Sequence, residues 1–168
     1  MLHDDLRPFL QGDLLSWRGL PAVTQDALDA ALGIPEEHTT TDLGFYAAER
    51  YVYPLDVPSK GIIAYARRRR VVLIEAIRPP PASAMEGLPE PWGIKAQEIL
   101  VSDFYAHEYV YCEMGLVLTV AEPLSGSGPV KLVRCRGIRP IKTVEEFGPE
   151  YYKSFEDQVQ WPVVPQHD

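Results

Sequence analysis

Two stretches of this chain, FYAAERYVY at 45–53 and FYAHEYVY at 104–111, carry nearly the same residues in the same order. Both are rich in aromatic and β-branched residues, which suit a pleated, half-buried surface, so each predicts a β-strand. The segments after these two stretches correspond as well. Gly61-Ile62-Ile63 aligns with Gly115-Leu116-Val117, and 71–79 aligns with 130–140, both ending Ile-Arg-Pro. A Leu and a Pro precede each unit, at Leu32 and Pro35, then at Leu88 and Pro91. Two units are too few for a solenoid, so they should pack into one sheet. The expectation is an α+β fold: an antiparallel sheet packed with short helices, in two similar tandem halves, 1–81 and 82–168, within one compact domain. The alternative is two unrelated sets of strands that share a β-type composition.

The rest of the chain fills in that pattern. Leu6, Phe9, Leu10, Leu14 and Trp17 fall three and four apart, one apolar stripe on a short helix with Pro8 in its first turn. Thr24 caps a second helix whose buried stripe is Ala27, Leu28, Ala31 and Leu32; Gly33 and Pro35 end it. Strands are expected at 61–66 and 71–77, joined as a hairpin through Arg67, Arg68, Arg69 and Arg70. Pro79, Pro80 and Pro81 stop any ladder and open a linker over 78–91. Further strands are expected at 116–122 and 130–136. Residues 94–100 read equally as a short helix or an extended arm. Thr143 with Glu146 makes a capping box, and Tyr151, Phe155 and Val159 mark a final amphipathic helix.

The first helical segment carries a resemblance to a family. WRGLPAVTQDALDAALGIP, at 17–35, is similar to the helix, Leu-Gly-x-Pro, then strands unit of β-lactamase-inhibitor-protein-like folds. The resemblance implies a helical pair packed on an antiparallel sheet, repeated, with a sheet face presented to a protein partner. The chain lacks the cysteine pairs of the secreted inhibitors and its second unit is weakly helical, so inhibition of β-lactamase itself is not implied.

Charge and motif content narrow the function. A formal charge of −8 disfavours nucleic acid, whose phosphates demand Lys and Arg, and permits attraction to a basic partner. No apolar run reaches the roughly 20 residues that cross a bilayer, and the basic lead of a secretory signal is missing, so a cytoplasmic chain is expected. Cys112 and Cys135 sit in strand-like stretches outside any C-x-x-C pattern, and are expected to be reduced thiols. His107, Glu108, Cys112 and Glu113 form the densest polar cluster. On a strand His107 and Glu113 share a face but lie about 20 Å apart, while Glu108 and Cys112 point away, so a metal site fails on geometry. The four arginines at 67–70 read either as a receiver for an acidic partner or phosphate, or as a solvated hairpin tip. No P-loop, dinucleotide fingerprint, nucleophile elbow or zinc-protease pattern occurs. Neither catalysis nor a cofactor or metal is predicted.

Alternation then singles out one candidate surface. Tyr105, His107, Tyr109 and Tyr111 share one face of their strand, and Tyr51 and Tyr53 repeat the pattern in the first half. Tyrosine offers large contact area with few rotors and a polar tip, so this ladder is the predicted protein-binding surface. The competing reading packs the same rings beneath a helix. A second function class is a small-ligand domain with a pocket between the halves near Trp17, Trp92 or Trp161. An enzyme with a site assembled only in space is the third.

Overall fold

The computed structural model of the protein describes residues 1–42, 47–55, 60–93, 104–123 and 125–142. Helix α1 spans Leu2–Gln11, and a 3-10 turn follows at Leu14–Ser16. Helix α2 spans Gln25–Leu32. Strands β1 (Glu37–Asp42), β2 (Ala47–Leu55), β3 (Lys60–Arg67) and β4 (Arg70–Ala76) then form a meander. A second 3-10 turn, Ala82–Met85, leads to β5 (Trp92–Gly93), β6 (Phe104–Tyr111), β7 (Leu116–Pro123) and β8 (Lys131–Gly137). The eight strands make one antiparallel sheet in the order β1-β2-β3-β4-β8-β7-β6-β5. This is the α+β architecture expected from the sequence. Each half contributes four strands, and β2 and β6, which carry the two Tyr-Val-Tyr runs, each lie second from an edge. Among the described residues no helix is long and apolar enough to cross a membrane.

The halves meet at a short seam. Only Ile74↔Gly137 and Glu75↔Arg136 pair across β4 and β8. Beyond them the segment 20–24 wedges between the two strands and takes over their hydrogen bonds. Leu20 N donates to Ile138 O at 2.9 Å, and Val71 N donates to Val23 O at 2.9 Å. Side chains on the two faces supply the rest. On one face Phe9, Leu14 and Trp17 join Tyr51, Ile62, Ala64, Ile74, Leu116 and Leu118 in one core drawn from both halves. Small residues make this approach possible. A Cβ on Gly137 would lie 3.0 Å from Trp17 Cζ2 and 3.2 Å from Phe9 Cε2, so the rings sit directly on the backbone of β8. The opposite face buries Leu73, Val110, Cys112, Val117, Ile138 and Ile141 as a second cluster.

Helix α2 follows its sequence signals. Thr24 Oγ1 accepts from Ala27 N at 3.2 Å, and Gly33, at φ 92°, ends the helix with its N–H on Asp29 O. The N-terminal stripe does not stay on one helix. Helix α1 stops at Gly12, which takes a left-handed conformation, and Trp17 lies past the 3-10 turn. Pro8 is inside the helix rather than in its first turn, because the helix starts at Leu2. Strand β1 is a further difference. The run EHTTTD is polar and almost wholly exposed, so it has no alternation to read; its β-branched threonines and pairing to β2 make it a strand. The stretch 78–91 is not a loose linker, since Ala84, Met85 and Leu88 pack against the core. The expected elements at 94–100 and 143–159, and Phe45 at the start of the first aromatic stretch, lie outside the described residues.

The arginine run forms the predicted hairpin, with Arg67 paired to Arg70. Arg68 and Arg69 both hold positive φ, 50° and 66°, a two-residue turn geometry that favours Asn-Gly. The tip is tied down instead of strain-free: Gln25 N donates to Arg69 O, and Arg69 Nη2 spans both Asp26 carboxylate oxygens at 2.9 Å. That ion pair is exposed and contributes under about 1 kcal/mol. Replacing Arg68 by Asn and Arg69 by Gly together should raise stability by about 1 kcal/mol. A urea midpoint that stays level or falls would show that the arginines, not the turn geometry, hold this corner.

Candidate functional site

The pleat puts Tyr51, Tyr53, Tyr109, Tyr111 and His107 on the face that carries the helices. A single row of paired residues runs His38, Tyr51, Ala64, Ile74, Gly137, Leu116, Tyr111 across seven strands of that face. Most of the ladder is therefore core. Tyr51, Tyr53 and Tyr111 are 4%, 1% and 6% exposed and belong to the main apolar cluster. This corrects the expectation of an open six-residue contact surface. Period-two alternation assigns a face but not what covers it; Tyr53 of β2 reaches Asp29 of α2, and Met85 and Leu88 lie beside Tyr109 and Tyr111 of β6. Tyr105 lies on β6 opposite Glu122, but its side chain is outside the described residues.

The buried hydroxyls of Tyr51 and Tyr53 each find a carboxylate. Tyr53 Oη donates to Asp29 Oδ1 on α2 at 2.7 Å, and Tyr51 Oη donates to Glu49. His38 stacks on Tyr51 with ring centroids 4.4 Å apart and lies 3.8 Å from Glu49. Burial, then the adjacent acid, raises both phenols; Tyr51 is pushed up to about 12. Both tyrosines stay neutral donors; Tyr53 ties α2 to the sheet through Asp29, whereas Tyr51 bonds within its own strand.

The second half keeps a similar cluster partly open. His107 and Tyr109 are half-buried and stack at 6.2 Å. Both reach Glu122: His107 Nε2 at 3.3 Å from Oε2, and Tyr109 Oη donating to Oε1 at 3.3 Å. Burial and the Glu122 charge raise the Tyr109 phenol. Beside the cluster runs a shallow groove of about 380 Å³, bordered by Met85, Leu88, Glu90, Tyr111 and Val130. Glu122 and Glu90 are its charged members among the described residues. Glu122 was not singled out by sequence. Its signal was available, because a residue diagonal to His107 on the neighbouring strand lies within reach of a long side chain.

The polar cluster weighed for metal is split by the fold. His107 lies beside Glu122 on the helix-bearing face, whereas Glu108 is buried on the opposite face, where Thr119 Oγ1 donates to its Oε1 at 3.3 Å. Cys112 is buried in the second apolar cluster and Glu113 is exposed in the β6–β7 turn. Among the described residues no group of three His, Cys, Asp or Glu could hold a metal ion. Trp17 is wholly buried against Phe9, so it lines no pocket between the halves. The side chains of Trp92 and Trp161 lie outside the described residues.

Cys112 and Cys135 are free and buried on opposite faces of the sheet. Desolvation pushes both thiols up to about 12, far from the thiolate a nucleophile requires. Two results are expected. Iodoacetamide at neutral pH should label neither thiol in the folded protein and both after unfolding. Stability should also fall as pH rises above about 9, because the unfolded chain then loses thiol protons that the folded chain retains. The buried tyrosines extend that loss above about pH 10. Rapid labelling at pH 7, or stability level from pH 8 to 11, would contradict the burial.

No protein-family model matches the sequence, and no curated protein matches it. Two solved structures share part of its shape. A DUF4309 family protein (YjgB) from Bacillus subtilis aligns with 11% identity and a TM-score of 0.45, over 82% of this chain and 95% of that one. A cysteine-rich secretory protein (SAV1118) from Staphylococcus aureus aligns with 12% identity and a TM-score of 0.40, over 90% of this chain and 55% of that one, so the chain spans about half of its length. Neither is described as a β-lactamase inhibitor.

Proposed function

We propose that the chain is a non-enzymatic protein-binding module, of the inhibitor, immunity-type or adaptor kind, that takes a basic segment of its partner in the groove beside Tyr109. The observation that carries this reading is the half-open His107, Tyr109 and Glu122 cluster at a groove bordered by apolar residues and by Glu90. Tyrosine at the centre of a small apolar surface is a favoured binding anchor. The two acids and the −8 charge select a cationic segment. The inert thiols and high-pKa tyrosines argue against nucleophilic catalysis by these groups. Buried free thiols also fit a reducing, cytoplasmic setting.

The test uses the protein and three variants as baits in a lysate of its native host: Tyr109→Ala, Glu122→Lys, and Arg68→Ala outside the groove. A partner retained by wild type and Arg68→Ala but released by both groove variants, at unchanged melting temperature, is the expected result. Truncating the anchor should cost at least about 2 kcal/mol, roughly thirtyfold in affinity. Identical protein sets on all four baits, or no retained protein, would refute the reading.

A further inference from the structure

A cavity of about 520 Å³ lies away from the tyrosine groove, between the end of α1, the start of β3 and the segment 78–84. Its size falls within the about 300–1,000 Å³ of small-molecule pockets. Phe9, Ile62 and Ala76 provide an apolar lining from three different elements, and Pro80 and Ala84 line it from the 78–84 segment. Several of these parts are stiff. Consecutive prolines fix the backbone torsions at 79–81. Gly12 packs so closely that a Cβ there would lie 2.9 Å from Pro80 Cβ. A cavity built this way is largely formed before a ligand arrives, which lowers the ordering cost of binding.

Its polar equipment is sparse and of one sign. Arg78 is the only charged group among the described residues that line it; Gln11 and Ser83 add an amide and a hydroxyl. Acids outnumber bases 24 to 16 in this chain, yet Arg78 makes no ion pair among the described residues. A guanidinium matches a carboxylate through two parallel hydrogen bonds, and the apolar lining beside Arg78 suits an anion that carries a hydrocarbon body. We propose that this cavity binds a small amphipathic carboxylic acid, its apolar body against Phe9, Ile62 and Ala76 and its carboxylate on Arg78. The site is separate from the partner groove and stands whether or not that groove binds a protein.

Octanoate is a suitable probe, with octanol as its uncharged counterpart, each titrated into the full chain and followed by nitrogen–proton correlation spectra. Octanoate should shift the amides of Gly12, Gly61, Ala76, Ser83 and Ala84. Trp17 fluorescence should change with the same affinity, because its ring centroid is 5.1 Å from that of Phe9. Octanol should bind at least about tenfold more weakly, and Arg78→Gln should cost octanoate about the same factor. Ala84→Phe, folded by the same spectra, should lose binding by filling the cavity, while Arg70→Gln and Tyr109→Ala should leave it unchanged. Equal affinities for octanoate and octanol, an unaffected Arg78→Gln variant, shifts centred elsewhere, or no binding would each overturn the proposal.

Discussion

Changing Trp17 to alanine should destabilise the protein by about 3–5 kcal/mol, as expected for truncating a fully buried large aromatic ring. Trp17 is 0% exposed and rests on Gly137, the β8 residue paired with Ile74 of β4 at the seam. Its Nε1–H donates to Gly115 O at 3.0 Å. Gly115 O also accepts from Ile138 N at 2.8 Å, so it is not orphaned, and the lost bond adds only about 1 kcal/mol. The larger part of the cost is the void left over the seam, where neither backbone has further cross-strand pairs to give. Trp17→Phe, which keeps most of the apolar area, should cost about 1–2 kcal/mol. Urea unfolding of both variants at neutral pH checks this. An alanine variant within about 1 kcal/mol of wild type would mean that the seam does not depend on the indole.

Arg136→Met tests the other face of the same seam and should cost about 3–5 kcal/mol. Arg136 is buried, and its Nε donates to Glu75 Oε1 at 3.0 Å across the β4–β8 pairing. Its Nη1 also lies 4.0 Å from Glu108 Oε1. Removing the cation leaves two mostly buried carboxylates without it, and that uncompensated charge, more than the lost hydrogen bond, sets the size of the effect. Arg134, half-exposed and 3.7 Å from Glu75, is too solvated to replace it. Adding Glu75→Gln to Arg136→Met should recover part of the loss, because it removes one of the stranded charges. If the single variant is neutral, or the double variant is worse than the single, Arg136 does not stabilise the seam through Glu75.

Much of the architecture was legible along the chain. The runs rich in β-branched and aromatic residues at 61–66, 71–77, 104–111 and 116–122 predict strands found at β3, β4, β6 and β7, because such side chains suit a pleated, half-buried surface. Thr24 and Gly33 predict the ends of α2, because capping chemistry is local. Strand β1 was hidden because an exposed edge strand buries almost nothing and so shows no apolar rhythm. Trp17 was read onto a helix because its spacing fits one. Gly12 turns the chain before it, and only contact with Gly115 and Gly137 fixes its place.

The candidate site divides the same way. Sequence alone determined that Tyr51 shares a face with Tyr53, and Tyr109 with Tyr111, since residues two apart on a strand lie on one side of the pleat. It also determined that four arginines would sit at a hairpin tip. Tertiary structure alone decided that three of those tyrosines are core and that Tyr109 is half-open beside Glu122, because burial depends on which distant segment comes to lie over the sheet. It decided as well that Arg136 and Glu75, 61 residues apart, face each other at the seam. Pairings of that separation are written in no local pattern; they arise from the order in which the strands lie side by side.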